Sequence, residues 1–239
     1  MSSPTTAPLQ APDWRKFRYF DLLLHAFVVV LLVSNLVAPK IVAIGPFRVS
    51  GAQLLFPIAY IFGDIFTEVY GYGASRRAIW VGFFSSSLLA IMGLICVALP
   101  PAPGWDGQEA FAQVFGFVPR LVAASLVAYW AGEFANSFVM AKMKMVTGGK
   151  RLWMRTIGST MVGQGVDTAV VMILAFGGSL SMELIGTLIA SGYLAKVAYE
   201  AAATPLTYLI VNFLKRKEGI DVYDYNTDFN PFASNPRAR

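Results

Sequence analysis

Residues 51–70 read GAQLLFPIAYIFGDIFTEVY, and whether this stretch crosses a membrane decides the fold. It holds Gln53, Pro57, Asp64 and Glu68, so hydropathy alone would discard it. Its neighbours are clearer. A membrane helix needs about 20 mostly apolar residues to cross roughly 30 Å of hydrocarbon. Residues 20–38, 78–99, 121–141 and 184–213 meet that need, and 156–176 does so despite Gln164 and Asp167. The basic residues decide the doubtful case, because cytoplasmic loops collect Lys and Arg. The clusters are Arg15/Lys16/Arg18, Arg76/Arg77, Lys142/Lys144/Lys150/Arg151/Arg155 and Lys215/Arg216/Lys217. All four share one side only if 51–70 crosses as well.

Six spans follow, with both termini cytoplasmic: an all-α, polytopic membrane protein. The predicted organisation is a disordered cytoplasmic tail over 1–18, a six-helix transport domain over 19–215 and a polar cytoplasmic tail over 216–239. Residues 15–38 resemble a signal peptide, basic then apolar, but the five later spans favour a retained first helix. Composition agrees. The 239 residues are 56% hydrophobic and 14% charged, whereas a soluble domain carries about 25% charged residues. One cysteine and one histidine exclude a disulfide scaffold within the chain, a CxxC zinc site and a two-histidine metal site. No metal and no cofactor is expected. The net charge of +5 is orientation signal, and no basic soluble domain exists to bind nucleic acid.

The informative residues are the ionisable ones inside the spans. At 1.5 Å per residue, Asp64 lies roughly 20 Å into span two, Glu133 about 18 Å into span four, Asp167 about 17 Å into span five and Lys196 about 18 Å into span six. A charge at that depth costs roughly 2.5–3.5 kcal/mol on insertion scales, so these side chains should face an interior or a wet cavity. Their neighbours form stripes at helical spacing: Ser125, Tyr129, Glu133 and Asn136; Thr160, Gln164 and Asp167; Tyr193, Lys196, Glu200 and Thr204; Asp64 and Glu68; Ser34 and Asn35. Five helices thus carry polar faces that could converge. Span three, with only Ser85–Ser87, reads as a peripheral packing helix. Inside the spans the acids Asp64, Glu68, Glu133, Asp167 and Glu200 outnumber their one internal cation, Lys196, which in a purely structural reading would neutralise Asp64 or Asp167. A structural ion-pair network accounts for one such pair but not for the whole set. Pro39, Pro57 and Pro205 sit within or at the ends of spans, and broken membrane helices are tolerated where they line a cavity.

The run Phe56-Pro57-Ile58-Ala59-Tyr60-Ile61-Phe62-Gly63-Asp64-Ile65-Phe66-Thr67-Glu68-Val69-Tyr70-Gly71, followed by Arg76-Arg77, resembles the queuosine-precursor transporter family, also called the vitamin uptake transporter family. Ser34-Asn35, Gly163-Gln164-Gly165-Val166-Asp167-Thr168 and Tyr193-Leu194-Ala195-Lys196-Val197 with Pro205 agree with it. The resemblance covers residues 20–215. It implies six helices and uptake, across the inner membrane, of 7-cyano-7-deazaguanine or its aminomethyl relative, with Asn35, Asp64, Arg120, Gln164, Asp167 and Lys196 as the family's polar residues. Glu68 matches one branch of that family.

Such a ligand suits these residue types. A guanine-like edge offers an N–H beside an NH₂, and one carboxylate accepts both. The ring carbonyl needs a donor, which Lys196, Gln164 or Asn35 could supply. The flat ring needs a stacking partner, for which Phe56, Tyr60, Tyr129 and Tyr193 are candidates. The predicted substrate site is therefore Asn35, Phe56, Tyr60, Asp64, Glu68, Tyr129, Glu133, Gln164, Asp167, Tyr193 and Lys196, near the bilayer midplane. Arg76, Arg77, Arg120 and Arg155 are assigned to topology or gating, and His25 to structure. Expected partners are the small base and lipid, with a homodimer left open. Two other classes compete. One is a binding subunit energised by a separate module, since the chain lacks a GxxxxGK[ST] loop. The other is an intramembrane aspartyl protease using Asp64 and Asp167, although the usual GxGD reads Ile61-Phe62-Gly63-Asp64 here.

Overall fold

The computed structural model describes residues 17–44, 47–116, 119–179 and 181–233. Helices α1 (Phe20–Val37), α2 (Ala52–Ile65), α3 (Tyr72–Ala98), α5 (Pro119–Thr147), α6 (Leu152–Phe176) and α7 (Met182–Glu218) form an up-and-down bundle. A π turn, Phe66–Tyr70, continues α2. Five segments are long and apolar enough to cross a membrane: α1, α3, 108–147 (which contains α5), α6, and Lys196–Glu218 of α7. The sixth long helical stretch, α2 with its π turn, is the polar one that the basic residues argue for.

Two elements were not foreseen. A hairpin pairs β1 (Ile41–Ile44) with β2 (Phe47–Ser50), Ile41 opposite Ser50. Short α4 (Gln108–Phe115) lies in the loop after α3, where Gln108 Nε2 donates to the Val97 carbonyl at 2.9 Å. Both sit at the end of the bundle away from the start of α1 and the end of α7, here the far end. The near end carries residues 17–19 and 215–233.

The helices cross closely because the sequence supplies small residues at the contacts. A Cβ on Gly132 would lie 2.7 Å from that of Asp167, and one on Gly163 would lie 2.7 Å from that of Asn136. The α5–α6 contact is thus a two-glycine crossing, and it sets the positions of two polar side chains. An aromatic cluster closes α1 on the π turn: Phe20 meets Phe66 edge-on at 5.6 Å and Tyr70 at 5.2 Å, and Phe27 meets Phe66 at 5.8 Å.

Beyond Gly219 the chain folds back over the near end. Gly71, at φ +87°, makes the sharp reversal into α3 and offers no capping side chain. The cap comes from the tail: both oxygens of Asp224 accept the Tyr72 N–H, at 3.1 and 3.0 Å. An acid at a helix N-terminus also suits the helix dipole. Arg76 donates to the carbonyls of Asp228 and Asn230 at 3.0 and 2.9 Å. Trp80 Nε1 donates to Pro231 at 2.9 Å, and Phe229 and Phe232 pack on Tyr72 and Trp80. Arg76 and Arg77, placed by the sequence in a loop, therefore lie in the opening turns of α3, Arg76 holding the tail and Arg77 over the Phe20 ring. Residues 219–233 form a strap across the near end.

Burial pushes the Asp224 carboxyl above its ordinary value, against the lowering effect of the Thr227 and Tyr72 hydrogen bonds. A raised folded value means the carboxyl favours docking most when it is neutral, and that contribution is lost as pH rises through the folded value. Asp224→Asn, neutral and still an acceptor, should keep the strap seated. Asp224→Ala should lose about 1 kcal/mol of stability and expose the segment after Gly219 to protease. Thermal unfolding in detergent and limited proteolysis read the two outcomes.

Candidate functional site

The polar stripes do not meet in one pocket. They stack in three layers along the bundle. Nearest the far end is a cavity of about 330 Å³, walled by α1, α2, α3, α5 and α6. Its polar wall carries Ser34, Asn35, Ser86 and Ser125, and Tyr60, Tyr129 and Asp167 also line it. Asn35 Nδ2 donates to Ser86 Oγ at 3.4 Å. Helix α3, read from sequence as peripheral, is a cavity wall. Gly82 on α3 leaves room for the Tyr129 hydroxyl: a Cβ there would sit 2.5 Å from it. Lys196 reaches Asp167 Oδ2 at 2.7 Å and Thr168 Oγ1 at 3.3 Å, so the acid that faces the cavity has a cation behind it.

The middle layer is sealed. Asp64, Glu133, Asn136, Thr160, Gln164 and Glu200 are all buried. Asn136 Nδ2 donates to Asp64 Oδ1 at 3.0 Å. Neither Asp64, Glu133 nor Gln164 lines the cavity.

The near-end layer is a knot around Glu68, whose carboxylate is fully buried. Arg155 donates to both its oxygens, Nη2 to Oε1 at 2.8 Å and Nε to Oε2 at 3.2 Å. Lys215 Nζ is 2.7 Å from Oε1, and Lys144 Nζ is 3.7 Å from it. Both lysines also hold Asp221 of the strap, at 2.6 and 2.8 Å. Burial pushes Asp221 upward, but these hydrogen bonds outweigh it and hold the carboxyl below its ordinary value. Its contribution is therefore complete above the ordinary carboxylate range and is lost as pH falls through the lowered value. Beside the knot, Glu218 clasps the start of α1, accepting from the backbone N–H groups of Arg18 and Tyr19 at 3.1 and 2.7 Å and from the Tyr70 hydroxyl at 3.1 Å.

Of the residues that the sequence assigns to the site, the structure gathers Asn35, Tyr60, Tyr129 and Asp167 at the cavity, with Lys196 paired to Asp167. Glu68 is committed to the knot, which Arg155 joins. Tyr193 lies beside Gly165 on the α6 side of α7, apart from the cavity lining. The Phe56 side chain lies outside the described ones. Arg120 donates to the carbonyls of Leu174 and Gly177, capping the end of α6. Asp64 and Asp167 occupy different layers and share no contact of the kind an aspartyl dyad needs.

Sequence reasoning missed Lys144, Asp221 and Asp224. Lys144 looked like one more loop cation. The signal was present: the stripe Glu133–Asn136 continues through Met140 to Lys144 at helical spacing. The two aspartates left little local mark, because the partners that tie them to the bundle, Lys144 for Asp221 and Tyr72 for Asp224, are more than 70 residues away in the chain.

Replacing Glu68 by Gln would leave Lys144, Arg155 and Lys215 facing one another in a buried site. Removing one partner of a buried ionic group costs about 3–5 kcal/mol. Glu68→Gln should therefore lower thermal stability in detergent sharply, whereas Asp221→Asn, whose carboxylate is partly exposed, should do so mildly. Similar unfolding curves for the two would show that the knot is not centred on Glu68.

A comparison with known families matches residues 50–210 to the family described as "Putative vitamin uptake transporter". A Bacillus subtilis (strain 168) protein named "Probable queuosine precursor transporter" is 26% identical over 186 residues, covering 77% of this chain and 81% of its own. An Escherichia coli (strain K12) protein named "Queuosine precursor transporter" is 25% identical over 149 residues, covering 62% and 65%. No solved structure matches. The matched region contains α2, the Glu68 knot residues up to Arg155, and the Asp167–Lys196 pair. Together with the apolar helices, it shows that this multi-pass membrane chain belongs to the vitamin uptake transporter family, whose members are transporters and not enzymes.

Proposed function

We propose that the chain imports queuosine precursors, 7-cyano-7-deazaguanine or its aminomethyl relative, across the inner membrane, and that the base binds at the inner end of the far-end cavity. One observation carries the reading: a single carboxylate, Asp167, faces a mostly apolar cavity between two tyrosines, Tyr60 and Tyr129, with Lys196 held 2.7 Å behind it. The acid accepts the paired N–H groups of a guanine-like edge. The lysine, released or shared, donates to the ring carbonyl. The tyrosine faces cover the ring, and Asn35 and the serines contact its outer substituent. About 330 Å³ suits a small planar ligand, since such sites begin near 300 Å³.

The basic near end faces the cytoplasm in this reading. The cavity then opens outward while the Glu68 knot and the strap close the inner side. That is one of the two states an alternating-access importer needs. The names of the two relatives support the substrate class.

Binding of both bases to purified protein, with guanine as competitor, tests the assignment. Asp167→Asn converts two charge-assisted hydrogen bonds to one neutral acceptor and one clash of donors. At about 1.5–3 kcal/mol for a charged hydrogen bond, affinity should fall roughly 10- to 100-fold, and uptake should vanish while the protein still inserts. Unchanged binding by Asp167→Asn would sink the site.

A further inference from the structure

The middle layer is used neither by the proposed substrate nor by the knot. Asp64 on α2, Glu133 on α5 and Glu200 on α7 are each at most 2% exposed and lie within electrostatic reach of one another. Among the described residues, Asp64 Oδ2, Glu133 Oε2, Glu200 Oε1, Asn136 Oδ1, Gln164 Oε1 and Thr160 Oγ1 meet no hydrogen-bond partner. All six atoms are acceptors, and only the threonine hydroxyl can also donate. The layer therefore lacks donors rather than acceptors. Asn136 has already committed an amide hydrogen to Asp64. The Glu133 carboxylate presses on the backbone beside Asp64, since a Cβ on Gly63 would lie 2.9 Å from its Oε2.

None of the described titratable groups around the layer bonds these six atoms. Tyr60 on α2 faces Glu133, Glu200 and Asp167, and Tyr129 on α5 faces Glu133. Asp167 on α6 adds a further acid, paired with Lys196 of α7. Below Asp64 comes Glu68, with Lys144, Arg155 and Lys215 gathered on it. Helices α1 and α3 direct theirs elsewhere: His25 to the Asp21 carbonyl, Arg76 to the strap and Arg77 over Phe20.

We propose that the Asp64–Glu133–Glu200 layer is a proton site that couples transport to the proton gradient. A proton turns one carboxylate into a donor for its neighbour and removes one of several like charges from a dry interior, which no neutral ligand does. Among the described residues, no three acidic, histidine or cysteine side chains are arranged to hold a metal ion. The location supplies the coupling. An ionised layer competes with Asp167 for Lys196 on one side and with Glu68 for its cations on the other. Protonation of the layer strengthens both pairs and loss of the proton weakens both, so one titration is felt at the substrate acid and at the knot that closes the inner side.

This inference rests on the transport reading, so the test separates the two. Purified full-length protein is reconstituted in liposomes, and wild type and Glu200→Gln are compared for binding of the labelled 7-deazaguanine base, for base exchange, and for accumulation under an inward pH gradient or an inward sodium gradient. One proton per base supports about ten-fold accumulation for each pH unit of gradient. Wild type should accumulate under the pH gradient alone. Glu200→Gln should bind and exchange the base as wild type does, yet no longer accumulate it. Accumulation by Glu200→Gln equal to wild type, or wild-type accumulation that follows sodium instead, overturns the proposal. Infrared spectroscopy adds a substrate-free readout. Wild type at neutral pH should show the carbonyl stretch of a neutral carboxylic acid, altered in Glu200→Gln, and no such band in wild type would also overturn it. Absence of base binding by wild type, with that band present, would fault the substrate assignment alone.

Discussion

A carboxylate taken out of water must be met by donors inside the protein, and Glu68 is where this chain obeys that rule most completely. Its buried oxygens draw in Arg155 from α6, Lys215 from α7 and Lys144 from α5, while the residue itself sits on the π turn that ends α2. Four helices are thereby tied at one point. The strap enters the same knot through Asp221 and then runs on to cap α3 through Asp224. Much of the near end follows from satisfying one anion.

The far end is built by the opposite means. There the helices separate enough to leave a cavity, and small residues set how they approach. Gly132 and Gly163 bring α5 and α6 together just where Asp167 and Asn136 project, so one to the cavity and the other to the sealed layer are fixed by the same crossing. Gly82 does the same for the Tyr129 hydroxyl. A bundle that is tied by charge at one end and spaced by glycine at the other has a natural way to open on one side while staying shut on the other. The acid-rich layer between them is close to both, which is why its charge state reaches in both directions.

Much of this was legible in the chain itself. The long apolar runs show as helices, and the polar stretch 51–70 is helical too, as α2 with its π turn. Asp167 and Lys196 were singled out by their depth, and the structure pairs them. Periodicity grouped Tyr129 with Glu133 and Gln164 with Asp167, but it could not say how far along the axis each stripe changes its partner. Residues one turn apart on one helix, Tyr129 and Glu133, end up in different layers because the facing helices differ at each level. The partners of Arg76 and Lys144 were not legible for a related reason: a cation near a membrane end reads as a topology signal whether it is solvated or buried against a partner far away in sequence.

What the amino-acid sequence determines alone is therefore the class of structure. Transfer of apolar side chains out of water and the hydrogen-bonding needs of the backbone in lipid act locally, helix by helix, and they leave a pattern that a one-dimensional reading can find. The partition of the buried charges was decided only in three dimensions. Whether Glu68 lines a cavity or closes an end, whether α3 is a wall or a bystander, and whether the segment after Gly219 trails or straps depend on partners 51 to 152 residues away, brought to between 2.8 and 3.4 Å by packing. Electrostatic and hydrogen-bond energies are set by that distance, and no spacing along the chain encodes it.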